Sequence, residues 1–326
     1  MNIDVLCLRP EADFQRVGAL PPEPLKVVYR AASDPDVADL MKQARALVIP
    51  AVGPKLPATL FENASVKFVQ VTGAGLDRLD LPFLKQRGIG VANVPGGSNE
   101  AVAEYAVTAA TVLLRGFLWA DAEIRKGNYR EFRARMITDN LQGLDGLTVG
   151  IIGFGVTGVA VASAFQKRGC LIFYHDPAPR DPRTAEAVVA KSCSLEDLFQ
   201  LADVVTLHVP LLPQTTGMIG RRELAMMKPG TILIQGSRGG VVDEAALAEA
   251  LQSGQLGGAA VDVYSTEPPA ADNLLFALKG EAAHRILFTP HVAGVTRQST
   301  AYLFRAAWRS IERVFSGKES PRDVVT

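Results

Sequence analysis

The stretch Val149–Gly158, VGIIGFGVTG, runs an apolar strand directly into three glycines at G-x-G-x-x-G spacing. Such spacing occurs in plain turns as well as in phosphate-binding loops, so the flanking residues decide the matter. A strand over Thr148–Ile152 precedes the glycines; a helix from Val156 to about Lys167 follows and ends at Gly169. The next strand closes on Asp176, 18 positions after Gly158. In that setting Gly153 permits the tight turn, Gly155 removes a side chain that would block a pyrophosphate, and Gly158 lets helix and strand approach closely. The helix N-terminus offers N–H groups and the positive end of its dipole to phosphates. Asp176 is placed to accept hydrogen bonds from both ribose hydroxyls of NAD, and its charge would repel the extra phosphate of NADP. Its alternative role, a turn residue before Pro177, is the weaker reading. The stretch predicts a dinucleotide-binding unit with NAD preferred over NADP.

Outward from this loop, short apolar runs alternate with helical patterns along almost the whole chain. Five precede it (IDVLCL, KVVYRA, ALVIPA, KFVQVT, GVANV), and TVGIIG, LIFYHD, DVVTLHV, TILIQG, AAVDVY and RILFTP form the rest. Continuous apolar strands separated by helices indicate parallel sheets covered on both faces. Eleven strands exceed one ordinary doubly wound sheet, so two α/β domains of Rossmann or flavodoxin type are expected. The helix beginning near Ser98–Asn99 is apolar nearly all round, which predicts burial between domains or between subunits of a homodimer. The helix in QSTAYLFRAAWRSIERVF carries apolar residues at helical spacing (Tyr302, Leu303, Ala306, Ala307, Ile311, Val314) and is expected to pack back on the first domain. That gives a split domain, 1–97 plus 293–326, and a continuous one, 98–292, with hinges at Gly96–Asn99 and Ala293–Thr296.

Lys+Arg and Asp+Glu are equal at 34 each among 326 residues, so no basic surplus points to nucleic acid or an anionic membrane. Cys7, Cys170 and Cys193 lie far apart without a C-x-x-C pair, which argues against a disulfide framework or a zinc site and fits a reducing cytosol. The opening MNIDVLCLRP lacks the pattern of a secretory leader, and no apolar run approaches membrane-spanning length. A cytoplasmic protein that binds small molecules, with no metal, is the expectation.

Four polar segments follow buried strands, where open α/β sheets bind their ligands: HVPLLPQT (208–215), GSRGGVVDEAALAEAL (236–251), VDVYSTEP (261–268) and TPHVAG (289–294). With GIIGFGVTG, and with VTGAGLDRLD and NVPGGSNEAVAEYAV further upstream, they make the chain resemble the D-isomer-specific 2-hydroxyacid dehydrogenase family, in particular its glyoxylate/hydroxypyruvate reductase-like members. The ordered set covers nearly all of residues 145–295. The resemblance implies NAD-dependent reduction of a small 2-keto acid to the D-2-hydroxy acid, with the split domain binding substrate and the continuous one binding NAD. It also implies roles. Arg238 holds the substrate carboxylate with a planar fork that Lys lacks. His291 is the proton donor, and Glu267 pairs with it and favours its protonated form. Asp262 binds the nicotinamide carboxamide, and Val156, Thr157, Pro210, Gly236, Ser237 and Gly294 join the three loop glycines and Asp176 around the cofactor. Backbone N–H groups of Ala74 and Gly75 receive the carboxylate as an anion nest.

Taken singly, His291 reads as a turn residue, Arg238 as a helix cap and Glu267 as a loop acid; their joint placement past parallel strands favours the catalytic reading. His208 reads as structural or as adenosine packing, His175 as incidental and His284 as a surface-loop residue. Several positions depart from the family pattern. Val156-Thr157 replaces a common Arg-Ile pair, and Gln235-Gly236 an Asn-Thr pair. Tyr105 stands where His is common, and Val71 stands where phosphoglycerate dehydrogenases place an Arg, against a phosphorylated substrate. Formate dehydrogenases share Arg and His but use Gln at the position of Glu267. NAD-sensing corepressors keep the trio but carry disordered tails. Reduction of an imino acid would use the same groups.

Overall fold

The apolar runs of the first hundred residues form β1 (Ile3–Cys7), β2 (Val27–Tyr29), β3 (Ala44–Ile49), β4 (Phe68–Val71) and β5 (Gly90–Ala92) in a computed structural model that describes residues 3–317, 324 and 325. These strands pair in parallel in the order β2-β1-β3-β4-β5. The two-residue period of β1 sorts its side chains onto opposite faces. Leu6 joins a core with Leu47, Ile49 and Val69, while Val5 and Cys7 join one with Val48 and Phe68. The second core is closed by the helix Arg297–Ser316, whose Phe304, Trp308 and Ile311 are buried there. Phe14 packs between them, 4.4 Å from the Phe304 ring and 5.2 Å from that of Trp308. The Trp308 indole N–H donates to the Ala19 carbonyl at 3.0 Å. Thr296 caps the helix by accepting from the Ser299 N–H, and Gly317, at φ 63°, ends it in the left-handed conformation that glycine adopts without steric cost.

The remaining strands are β6 (Thr148–Ile152), β7 (Leu171–His175), β8 (Ala190–Ser192), β9 (Val204–Leu207), β10 (Thr231–Gln235), β11 (Leu256–Val261) and β12 (Ile286–Phe288). They form a second all-parallel sheet in the order β12-β11-β10-β9-β6-β7-β8. The described residues therefore hold twelve strands rather than the eleven expected. The additional one, β8, is a three-residue edge strand, AKS, with no apolar run to announce it. By compactness the chain divides into two units, Met1–Ser98 with Val295–Thr326 and Asn99–Gly294.

Helix Asn99–Leu114 packs within its own unit. Its Ala101, Ala103, Ala106, Ala109 and Ala110 are buried, and the helix lies on β10, β11 and the Val156–Gln166 helix of its own unit. One face of the helix thus covers its own sheet. Among the described residues no single helix is long and apolar enough to cross a membrane.

Candidate active site

The glycine loop joins β6 to the helix Val156–Gln166. Gly153 has φ 91°, and a Cβ there would collide with the His208 carbonyl; one at Gly158 would collide with the carbonyl of Gly153. Around Gly155, which caps the helix without a side-chain partner, a Cβ would meet nothing within 4 Å. Two glycines are therefore required by the protein's own backbone, and the third borders open space at a helix N-terminus. That combination fits a dinucleotide pyrophosphate. Val156 is exposed at the loop's edge, and the Thr157 hydroxyl donates to Asn99 Oδ1 at 2.9 Å.

Asp176, just past β7, holds this loop in place. It accepts from the Phe154 N–H at 2.7 Å and the Ala178 N–H at 2.9 Å, and it forms an ion pair with Arg180. Burial works against its charged form, but the bonds from Arg180 and the two amides outweigh it and hold the carboxyl below the usual range. Arg183, the other nearby cation, pairs with Asp181.

At the ends of β11 and β12 the chain builds the His291 loop around one buried acid. Asp262, 1% exposed, accepts from the Thr289 hydroxyl at 2.6 Å and from the N–H groups of Val292 and Ala293 at 2.8 Å each. Its own carbonyl accepts from the His291 N–H at 2.8 Å. These bonds keep His291 at φ 56°, in the left-handed region that a residue with a Cβ rarely enters. The ring then reaches Glu267, with Nδ1 2.8 Å from Oε2, while the other carboxylate oxygen accepts from the Tyr264 N–H at 3.2 Å. Both side chains are partly open to solvent, at 26% for His291 and 30% for Glu267, so a ligand can reach the pair.

Arg238 lies in the turn after β10, and the departure Gln235 shapes that turn. Gln235, buried, accepts from the Ser237 hydroxyl at 2.9 Å and its N–H at 3.3 Å, and donates to the Arg238 carbonyl at 2.8 Å. Gly236 sits inside this bracket. At Gly239 a Cβ would collide with the Tyr264 carbonyl, so the Arg238 turn rests against the segment that carries Glu267. Arg238 and the His291–Glu267 pair thus stand on adjoining segments of one sheet edge.

Tyr105 is the brace that sequence reasoning missed. Its hydroxyl bonds Thr289 Oγ1 at 2.8 Å, extending the chain Tyr105–Thr289–Asp262, and burial pushes its phenol up to about 12. Pro210 is exposed just after β9, its carbonyl accepting from Thr215, and Gly294 ends the unit. His208 bonds Thr206 through Nε2 at 2.9 Å, and burial lowers its pKa to about 4, which favours the neutral ring. His175 faces the Cys193 carbonyl, and His284 stacks on Trp119 with ring centroids 5.4 Å apart. In the other unit, Ala74 and Gly75 follow β4, Ala74 exposed and its carbonyl bonded by Asn93 Nδ2 at 2.7 Å. Neither residue has positive φ.

A glycine loop shaped for a dinucleotide, with a His–Glu pair and an Arg turn beyond the carboxyl ends of the same parallel sheet, defines a nicotinamide-dependent oxidoreductase. Comparison with known proteins narrows the class. The family model for the D-isomer specific 2-hydroxyacid dehydrogenase, NAD binding domain, matches residues 107–293. The glyoxylate reductase of Thermococcus litoralis is 33% identical over 279 residues, covering 83% of this chain and 82% of that protein. The D-3-phosphoglycerate dehydrogenase of Archaeoglobus fulgidus is 35% identical over 75% of this chain, which spans only 45% of that longer relative. The structure of D-lactate dehydrogenase from Aquifex aeolicus, complexed with NAD and lactic acid, superposes with a TM-score of 0.79 at 26% identity over 96% of this chain and 95% of that one. The chain belongs to the D-isomer specific 2-hydroxyacid dehydrogenase family.

Proposed function

We propose that the chain reduces a small 2-keto acid to the D-2-hydroxy acid, reversibly, with NAD as cofactor. The observation that carries this reading is the His291–Glu267 pair at 2.8 Å on the edge that also presents Arg238. With Nδ1 committed to Glu267, Nε2 is the nitrogen that donates a proton to the substrate carbonyl oxygen in reduction and recovers it in oxidation. Glu267 orients the ring through Nδ1. The Arg238 fork holds the carboxylate and draws electron density from the adjacent carbonyl. The loop Gly153–Gly158 and Asp176 hold the dinucleotide, which supplies the hydride. Asp262 keeps the His291 loop in shape and borders the nicotinamide.

In the same reading, the unit built from both chain segments receives the substrate through the N–H groups of Ala74 and Gly75, and the chain works as a homodimer. Glyoxylate and lactic acid, named with two of the relatives, are acids of the expected size. The test is a panel of glyoxylate, hydroxypyruvate, pyruvate and phenylpyruvate with NADH and NADPH, followed by chiral analysis of the product. Turnover to a D-product with NADH is expected. An L-product, or no oxidation of NADH with any member, would overturn the reading.

A further inference from the structure

The sheet order β2-β1-β3-β4-β5 reverses direction at β1, which pairs with β2 on one side and β3 on the other. Open parallel sheets bind ligands in the crevice beyond the carboxyl ends of strands at such a switch point. This unit has a cavity of about 500 Å³ at that place, between the loops that follow β1, β2 and β3. Leu8, Pro10, Pro50, Val52 and Pro54 give it a mainly apolar wall. Arg78, 5% exposed, lines it as well.

Arg78 lies against Gly53, at φ 130°, where a Cβ would stand 3.3 Å from the guanidinium carbon. Its Nε donates to the Pro54 carbonyl at 2.9 Å and its Nη1 to the Pro50 carbonyl at 3.1 Å. Among the described residues no acceptor meets Nη2 and no carboxylate pairs with the group. Burial lowers its pKa with no acid to offset the effect. A buried guanidinium without a counter-ion is costly, and an anion in the cavity would relieve that cost. The other charged residues of the wall are committed: Arg30 pairs with Asp36, and Asp34 accepts from the Ala31 N–H at 2.9 Å. With one unpaired cation in the wall and the Asp34 carboxylate elsewhere in it, a singly charged ligand is favoured over a phosphorylated one.

We propose that this cavity is a binding site for a small monocarboxylate with an apolar tail, whose carboxylate pairs with Arg78. The site lies wholly within one unit and stands or falls independently of the catalytic reading. The probe is 3-methylbutanoate, titrated into the full chain by isothermal calorimetry with saturation-transfer NMR to confirm contact of its methyl groups. Wild-type and Arg238→Lys chains should bind it alike, and Arg78→Met should bind it at least about tenfold more weakly, the size of a lost charge-assisted hydrogen bond. Because Arg78 also braces the 50–54 loop, Val52→Trp, at an exposed position, supplies a second variant that fills the cavity without touching the cation. It should weaken binding to the same extent. Binding lost in Arg238→Lys but retained in Arg78→Met would put the carboxylate at the catalytic arginine and overturn the proposal. Equal affinity in all four chains, or no binding to the wild type, would overturn it too.

Discussion

The Asp176 carboxylate, proposed to meet the ribose, has its charge already balanced by Arg180. An isolated carboxylate there would reject a 2′-phosphate strongly; one shared with a guanidinium rejects it less, because Arg180 can turn to the phosphate. Arg180→Ala should therefore weaken NADPH about tenfold, the cost of one charge-assisted contact, and leave NADH within about threefold. Fluorescence titration of both cofactors checks this, and an unchanged ratio would remove Arg180 from the discrimination. At the His291–Glu267 pair, Glu267→Gln preserves a hydrogen-bonding group beside Nδ1 but removes the carboxylate. If the pair carries the proton transfer, kcat for reduction should fall by about 10²–10⁴-fold while NADH affinity changes little. A kcat within about threefold of the wild type would remove Glu267 from the proton transfer. The positions of Arg238, Glu267 and His291 past strand ends were legible in the sequence, where sheet geometry gathers polar residues, and the family resemblance supplied their proposed roles. The braces were not. Gln235 closes its turn through side-chain bonds, and Tyr105 reaches Thr289 across 184 residues of chain, contacts that no local pattern announces.

Elements with a long apolar period were legible for the same physical reason that they are stable: their buried face repeats. The Arg297–Ser316 helix is such a case, with Phe304, Trp308 and Ile311 on one stripe. The edge strand β8 is the opposite, since AKS buries little and pairs only with β7. Helix Asn99–Leu114 shows what small side chains do: its buried alanines let it lie close on its own sheet. Trp308→Ala tests the stripe. It deletes a buried ring and leaves the Ala19 carbonyl without its donor, so a loss of about 3–5 kcal/mol is expected from chemical denaturation. A loss below about 1 kcal/mol would mean the helix contributes little to that core.

At the scale of the molecule, one unit is a single segment and the other is assembled from two. A chain ended at Gly294 keeps every residue of the glycine loop, Asp176 and the His291 loop, but leaves Val5, Cys7, Phe14 and Phe68 without Phe304, Trp308 and Ile311. It should still bind NADH while failing to reduce any keto acid, and a circular dichroism melt should show the first unit unfolded. Reduction at the wild-type rate would show that the C-terminal segment is dispensable for activity. The contact between Trp308 and Ala19 joins residues 289 positions apart. A ribosome adding roughly 5–20 residues per second needs on the order of 15–60 s to make that stretch. For that interval the core around Val5, Cys7 and Phe14 lacks Phe304, Trp308 and Ile311 to close it, while the whole intervening unit is synthesised and can fold. The order of birth therefore inverts the order of completion: β1, made before the dinucleotide fold, is sealed after it, and the nascent chain carries an adhesive surface while those residues are added.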